Sequence, residues 1–201
     1  MNDMIFETVV TTLGPDGAPH LAPMGVRYQN DDVILMPFKP SATYDNIIRT
    51  RYAVLNLTTD VRVFAGCVTG HRDWPMHATT SIPGMHLQAA LSHVEMQLME
   101  ESADELRPRL RMKRVHAVHH GEFIGFNRAQ AAVIEGAVLV SRLHMLPPEK
   151  IDQEMTYLQI AIDKTAGPLE HEAWSWLKTA VEQHRIATSA DAHLATQEDA
   201  S

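Results

Sequence analysis

The stretch LMPFKPSATYDNIIRT (Leu35–Thr50) decides how this chain is read. An apolar run stops at Pro37. A lysine, a serine, a threonine and an asparagine follow, and Ile47 and Ile48 then resume an apolar pattern. Ser41 or Thr43 is a natural N-cap, which predicts a helix through Tyr44, Ile47 and Ile48 to about Arg51. A helix N-terminus carries unsatisfied N–H groups and the positive end of the helix dipole, and so favours an anion. Lys39 adds a charge there, and Ser41, Thr43 and Asn46 add neutral donors. All four can converge on one phosphate. By spacing alone a plain N-cap with a solvated lysine explains the stretch equally well, because no glycine-rich phosphate loop is present.

Working outward, the N-terminal part reads as a β-meander. Glu7–Leu13 is rich in Thr and Val, Gly14–Gly17 is turn chemistry, and Ala18–Tyr28 is extended. Pro19 and Pro23 confine that second strand to an edge or a bulge. Gly25, between Met24 and Val26, permits a close approach by something flat. Gln29–Asp32 is a second turn and Val33–Phe38 a short buried strand. After the helix, Tyr52–Asp60 and Arg62–Val68 read as strands. Thr69–Met85, with Gly, two prolines and no period, reads as a long functional or mobile loop. Leu87–Met99 alternates, with a phase change near Ser92 that predicts a bulge. Leu106–His120 returns as a basic strand whose charges pair with Glu100, Glu101, Asp104 and Glu105 across a hairpin. Asn127 is an N-cap, followed by a helix that is apolar nearly all round. Pro148 and Pro168 open two further helices.

Composition narrows the function classes. The chain has 201 residues, 45% of them hydrophobic, and a formal net charge of −8. That supports one sizeable core with an added subdomain and argues against nucleic acid, as does a basic strand with no interleaved aromatics. One cysteine, Cys67, excludes an intrachain disulfide framework. No apolar run is long enough to span a bilayer, and the N-terminus carries no signal-like segment. The expected location is the cytoplasm.

Histidine is over-represented, with 12 residues. His71, His77 and His86 lie in or beside the long loop, and His116, His119 and His120 at a strand end. Imidazoles with Asp73 have the chemistry of a metal site, but the spacing fits no zinc motif, and His119 and His120 point to opposite faces of a strand. No metal is expected. His71, Arg72, Asp73 and Trp74 together suit substrate contact more than catalysis, and no catalytic residue is assigned. Cys67 reads as buried rather than reactive.

The order of TTLGPDGAPHLAPMGV, VILMPF, SATYDNI and YAVLNL resembles the FMN-binding split β-barrel superfamily. ETVVTTL, APMGV, Ser41-x-Thr43-x-x-Asn46-Ile47, HRDWP, FNRAQAAVIEGAV and SRLHMLP look like an uncharacterised flavin-binding group within it, found in archaea and in bacteria with one-carbon pterin metabolism. The resemblance runs to about residue 185. It implies an α+β fold: a split β-barrel of the flavin-reductase and pyridoxamine-oxidase kind over residues 1–125, a helical subdomain over 126–185, and a loosely held tail over 186–201. It implies a homodimer with FMN near the interface. Ser41, Thr43 and Asn46 match the turn that holds the phosphate, and Met24, Gly25 and Val26 the strand beside the isoalloxazine ring. Many split barrels carry Lys or Arg directly after the serine, where Ala42 stands here; Lys39 then supplies the charge. The implied function is FMN-dependent oxidoreduction of a small molecule, with a pterin-pathway intermediate as one candidate. The alternatives are a non-catalytic flavin binder or cofactor carrier, and a split barrel holding haem or a deazaflavin.

Overall fold

The computed structural model describes residues 4–198. Two compact units are present, Met1–Val63 with Arg72–Ile124, and Phe64–His71 with Gly125–Ser201.

The first unit is a closed antiparallel barrel. Its strands are β1 (Phe6–Leu13), β2 (Pro19–Gln29), β3 (Asp32–Leu35), β4 (Tyr52–Leu57), β7 (Ser92–Ser102) and β8 (Arg109–His119), in the order β1-β2-β3-β8-β7-β4. The predicted turn between β1 and β2 closes through Gly14 N–H donating to the Ala18 carbonyl at 2.8 Å, with Gly17 at φ 80°. Asn30, at φ 54°, makes the next turn. Alternate residues of each strand face inward, so Val10, Val26, Val33, Leu55, Val94, Met96, Leu98 and Met112 build one core. Helix α1 (Ala42–Thr50) adds Tyr44 and Ile47 to that core.

Two strands are paired on one side only for part of their length. Among the described residues β2 meets β3 only at Arg27–Gln29, so Pro19–Val26 has β1 on one side and no described strand on the other. That is where the prolines lie, as their missing N–H requires. β8 meets β3 only over Leu110–Lys113, so among the described residues its far half, from Arg114 on, is paired with β7 alone. Of the charge pairs expected across the hairpin, Arg111 makes one, to Glu100 at 3.1 Å, and it also reaches Asp32 on β3 at 2.9 Å.

The outer face of β1, β4 and β7 is covered by a hairpin of β5 (Met76–Ala78) and β6 (Met85–Leu87). Two buried polar side chains fix it. Asn56, fully buried, donates to Thr11 Oγ1 at 2.7 Å and the Val9 carbonyl at 3.1 Å, and accepts the Leu87 N–H at 2.8 Å. Glu95, also fully buried, accepts the backbone N–H groups of Thr80, Ser81 and Ile82 at 3.1, 2.8 and 2.9 Å.

Two sequence expectations are corrected here. Arg62–Val68 is not a strand but lies in helix α2 (Arg62–Thr69). Asp60 starts it by accepting the Arg62 N–H at 3.2 Å, and a short apolar run carries no period that separates helix from strand. The phase change near Ser92 is a break between β6 and β7, with Leu91 N–H held by the Leu57 carbonyl at 2.8 Å. The bulges of β7 come later, at Glu95/Met96 and Leu98/Glu100.

The second unit contains α3 (Arg128–Val140), α4 (Pro148–Thr165) and α5 (Pro168–Glu198). Asn127 caps α3 by accepting the Ala129 and Gln130 N–H groups. Helix α5 continues past Ile186, where a tail was expected, and residues 199–201 lie outside the described residues. Gly136 is where α3 meets α5. A Cβ there would lie 2.8 Å from Trp174 Cζ3 and 3.1 Å from Leu177 Cδ1. Gly136→Val is therefore expected to destabilise the protein by about 1–3 kcal/mol through overpacking. A urea midpoint equal to or above that of the parent chain would refute that close approach.

Candidate functional site

The first turn of α1 carries the most sequence-predicted ligand groups. Ser41 is extended (φ −158°, ψ 148°), its Oγ accepts the Tyr44 N–H at 3.2 Å, and its carbonyl accepts the Asp45 N–H at 3.0 Å. The N–H groups of Ala42 and Thr43 meet no acceptor among the described residues. Two free donors at the positive end of a helix dipole are the raw material of an anion site. Lys39 is exposed, with its ammonium 5.0 Å from the centroid of the Tyr44 ring. Its backbone N–H is tied to the Leu106 carbonyl at 2.9 Å, and Arg107 lies over the Phe38 ring at 4.2 Å. The Tyr44 hydroxyl donates to Glu101 at 2.6 Å, and that bond, with burial, holds the phenol above its ordinary range.

The other predicted residues take different stations. Thr43 is buried in the first turn. Asn46 is buried as well and donates to Thr12 Oγ1 at 3.0 Å, so its amide braces α1 against β1. Val26 is fully buried in the barrel core and Met24 packs against that core. Only their main chain faces the unpaired edge of β2. The Met24 carbonyl accepts from Thr8 Oγ1 at 2.8 Å. Gly25 alternates to the outer face, where a Cβ would come within 2.6 Å of Ile5 Cγ2. The residue that requires a glycine there is Ile5. Arg27 donates to the Met36 sulfur at 3.2 Å, which joins β2 to the segment that leads into the α1 turn.

The histidines are grouped otherwise than the sequence reading grouped them. His71 stacks on Trp176 with centroids 4.1 Å apart and planes 10° apart, and its Nδ1 lies 3.0 Å from Thr69 Oγ1. His86, His93 and His120 come together instead. His93 lies outside the loop and the strand end where the other two histidines of the cluster lie in sequence. It stands two residues before Glu95 on β7, hence on the same outward face, and that parity was available as a signal. The rings of His86 and His93 stack at 4.1 Å, and His93 Nδ1 is 2.7 Å from His120 Nε2. Burial and the neighbouring His86 keep His93 below the ordinary imidazole range, although Glu95 pulls the other way; burial and the histidines around it do the same for His120. Beside this cluster, Leu57, Thr58, Leu91, Ser92, His119 and Phe123 line a cleft of about 360 Å³.

Comparison with known proteins bears on the whole chain. A family model described as the N-terminal domain of a protein of unknown function (DUF447) matches residues 6–121, and a second, described as a protein of unknown function (DUF447), matches residues 127–179. Among solved structures, an FMN-bound DUF447 protein from Methanosarcina mazei superposes with a TM-score of 0.75 at 18% identity, covering 88% of this chain and 94% of that one. The 2-nitrobenzoate 2-nitroreductase of Pseudomonas fluorescens follows at a TM-score of 0.51, 19% identity and coverage of 57% and 64%. Nitrilotriacetate monooxygenase component B from Mycobacterium thermoresistibile has a TM-score of 0.50 at 13% identity, with coverage of 59% and 71%. At these identities the likeness establishes the fold, an α+β split barrel with C-terminal helices.

Proposed function

This chain belongs to the DUF447 family, and on that footing we propose that it is an FMN-binding flavoprotein that acts as an oxidoreductase on a small molecule. The observation that carries the reading is the α1 turn. Two unclaimed N–H groups, the Ser41 hydroxyl and the Lys39 ammonium lie at one helix N-terminus, next to a strand edge left open by β3. The FMN-bound relative with the same architecture supports the choice of anion.

The residues fit the group. Lys39, Ser41 and the main chain of Ala42 and Thr43 would hold the phosphate, with Asn46 fixing the helix that presents them. The edge of β2 over Met24–Val26 that faces away from β1 offers main-chain hydrogen-bonding groups to the ring system. FMN, when bound, supplies hydride and single-electron chemistry, and the protein supplies binding, orientation and electrostatics. Thr43 and Asn46 are buried, so the turn needs little reordering to receive an anion, which favours affinity.

A homodimer in the cytoplasm is part of the same reading. Among the described residues the half of β8 beyond Lys113 has no strand on its second edge, and Val115 on it is 44% exposed. Such an edge pairs readily with another chain. No described helix is long and apolar enough to cross a membrane, and the single cysteine suits a reducing compartment.

The test is the visible spectrum of the purified protein, with mass analysis of whatever chromophore heat releases. A flavin spectrum and the mass of FMN are expected. A colourless chain that takes up no added FMN would reduce the α1 turn to a capped helix. Reduction by a nicotinamide donor and reoxidation by a small acceptor would then separate an enzyme from a carrier.

A further inference from the structure

We propose that His86, His93 and His120 form a binding site for one divalent transition-metal ion of the zinc class. This departs from the expectation that the chain has no metal site. It does not depend on FMN binding, because none of the three histidines belongs to the α1 turn or to the β2 edge.

The first observation is convergence. One ring nitrogen from each histidine lies within 4.8 Å of those of the other two. They come from three places in the chain: β6, β7 and the residue just after β8. Sequence neighbours did not create the cluster; the barrel wall and the hairpin laid over it did.

The second observation is what stands behind the rings. A metal-bound imidazole usually gives its other N–H to a carboxylate or a backbone carbonyl, which fixes the tautomer and aims the ligating nitrogen. His86 Nδ1 lies 3.1 Å from the Leu87 carbonyl, which leaves Nε2 as its lone-pair nitrogen. His93 turns Nε2 toward Glu95, 3.5 Å away, and Nδ1 toward His120. Glu95 is held in turn by three backbone N–H groups. His86 thus has the backing a ligand needs, and His93 faces a carboxylate that can supply the same. His93 Nε2 is a buried nitrogen with no hydrogen bond among the described residues, and Glu95 is the acceptor that stands within reach of it.

The third observation is donor chemistry. Three imidazoles without a ligating carboxylate suit zinc, cobalt, nickel or copper, and not magnesium or calcium. His86 and His93 are buried, whereas His120 is exposed, so the site is dry on one side and open on the other. Three protein ligands and an open position are the arrangement in which zinc takes water or an anionic oxygen as its fourth ligand.

Without an ion, the 2.7 Å approach of His93 Nδ1 to His120 Nε2 is a hydrogen bond with one shared proton. Two nitrogens on one tetrahedral ion stand about 3.3 Å apart, given bonds of about 2.0–2.1 Å. Insertion of the ion therefore parts the pair by about 0.6 Å. His120, with His93 accepting at Nδ1, exchanges its Nε2 proton for one on Nδ1 through solvent. No proton is lost overall and no oxidant or reductant is needed. The stacked rings must also tilt so that their lone pairs meet, and the exposed His120 has room to do so.

The experiment uses the full chain, free of any polyhistidine tag, stripped with chelator and retaining whatever cofactor it purifies with. Zinc is titrated against a chromophoric competitor, and cobalt(II) is followed by its visible ligand-field bands. The expected result is one equivalent per chain with tetrahedral-type cobalt bands. His120→Ala should weaken binding at least ten-fold, in line with the loss of one ligand of three, and His120→Asn should do the same if the alanine variant folds poorly. His116→Ala, an exposed histidine of β8 outside the cluster, should bind like the parent. No stoichiometric ion in the parent chain would overturn the proposal and leave a hydrogen-bonded histidine stack. Equal affinity in the parent and both His120 variants would overturn it too, as binding to scattered surface histidines. The chromophore content of each sample is read separately.

Discussion

Replacing Glu95 by alanine is expected to lower the unfolding free energy by about 3–5 kcal/mol, the range for breaking a buried charged network from one side. The side chain is fully buried, and its two oxygens accept the N–H groups of Thr80, Ser81 and Ile82 and the Thr80 hydroxyl. Alanine removes every acceptor at once. Each buried donor left unpaired costs about 1–3 kcal/mol. Ser81 is exposed and can turn to water, whereas the Ile82 N–H cannot, so the sum falls short of three full penalties. The urea midpoint should drop accordingly. A loss below about 1 kcal/mol would show that residues 79–84 are not held by this carboxylate.

The same group sets a pH signature. Burial raises the Glu95 carboxyl, but the three backbone N–H bonds and His93 together outweigh it, and the folded value lies below the ordinary 4.5. A carboxylate depressed on folding contributes stability that is full above its unfolded value. That contribution fades as pH falls from there through the folded value. The stability gap between the parent chain and Glu95→Ala should therefore be constant near neutrality and close on acidification below about pH 4.5. A gap that widens on acidification would reverse the assigned sign.

Much of the barrel was legible because its signals are local. Gly14–Gly17, the prolines of β2, the Ser41 cap and the Asn127 cap each do in the fold what the residue type dictates. The hairpin of β7 and β8 was legible through its opposite charges, and Glu100 does meet Arg111. Helix α2 was not, because Val63–Val68 is apolar without a period and the deciding bond comes from Asp60, outside the run. Nor was the arrangement of the outer layer. What pins β5 and β6 is a pair of buried polar residues, Asn56 and Glu95, whose partners lie far off in sequence. A lone Glu in an apolar strand announces a partner without saying which. The histidine cluster has the same origin: three residues brought together by register, of which only the parity of His93 and Glu95 could be read in advance. In the candidate flavin site, residue types were read more readily than orientations. The sequence placed Met24, Gly25 and Val26 on one strand, yet two of the three face the core, and Gly25 accommodates Ile5.

The sharpest consequence of the FMN proposal is a difference between two ligands that share a ring system. Ser41→Ala with Thr43→Ala is expected to weaken FMN binding by about 10–100-fold, since a hydrogen bond to a charged group contributes about 1.5–3 kcal/mol. Riboflavin, which lacks the phosphate, should lose no more than about three-fold, a fraction of one such bond. The comparison matters because Ser41 is also the N-cap of α1, whose loss costs about 1 kcal/mol of stability by itself. A helix that frays would harm both ligands alike, whereas a lost phosphate contact harms one. Lys39→Ala separates charge from capping. Its ammonium is exposed and holds no ion pair among the described residues, so the fold should be unaffected while FMN affinity falls and becomes less sensitive to salt. Fluorescence quenching of the free flavin measures both variants on both ligands. Equal losses for FMN and riboflavin, or no loss for either, would move the phosphate away from this turn. A selective loss would place the phosphate against the hydroxyls of Ser41 and Thr43, at the N-terminus of α1.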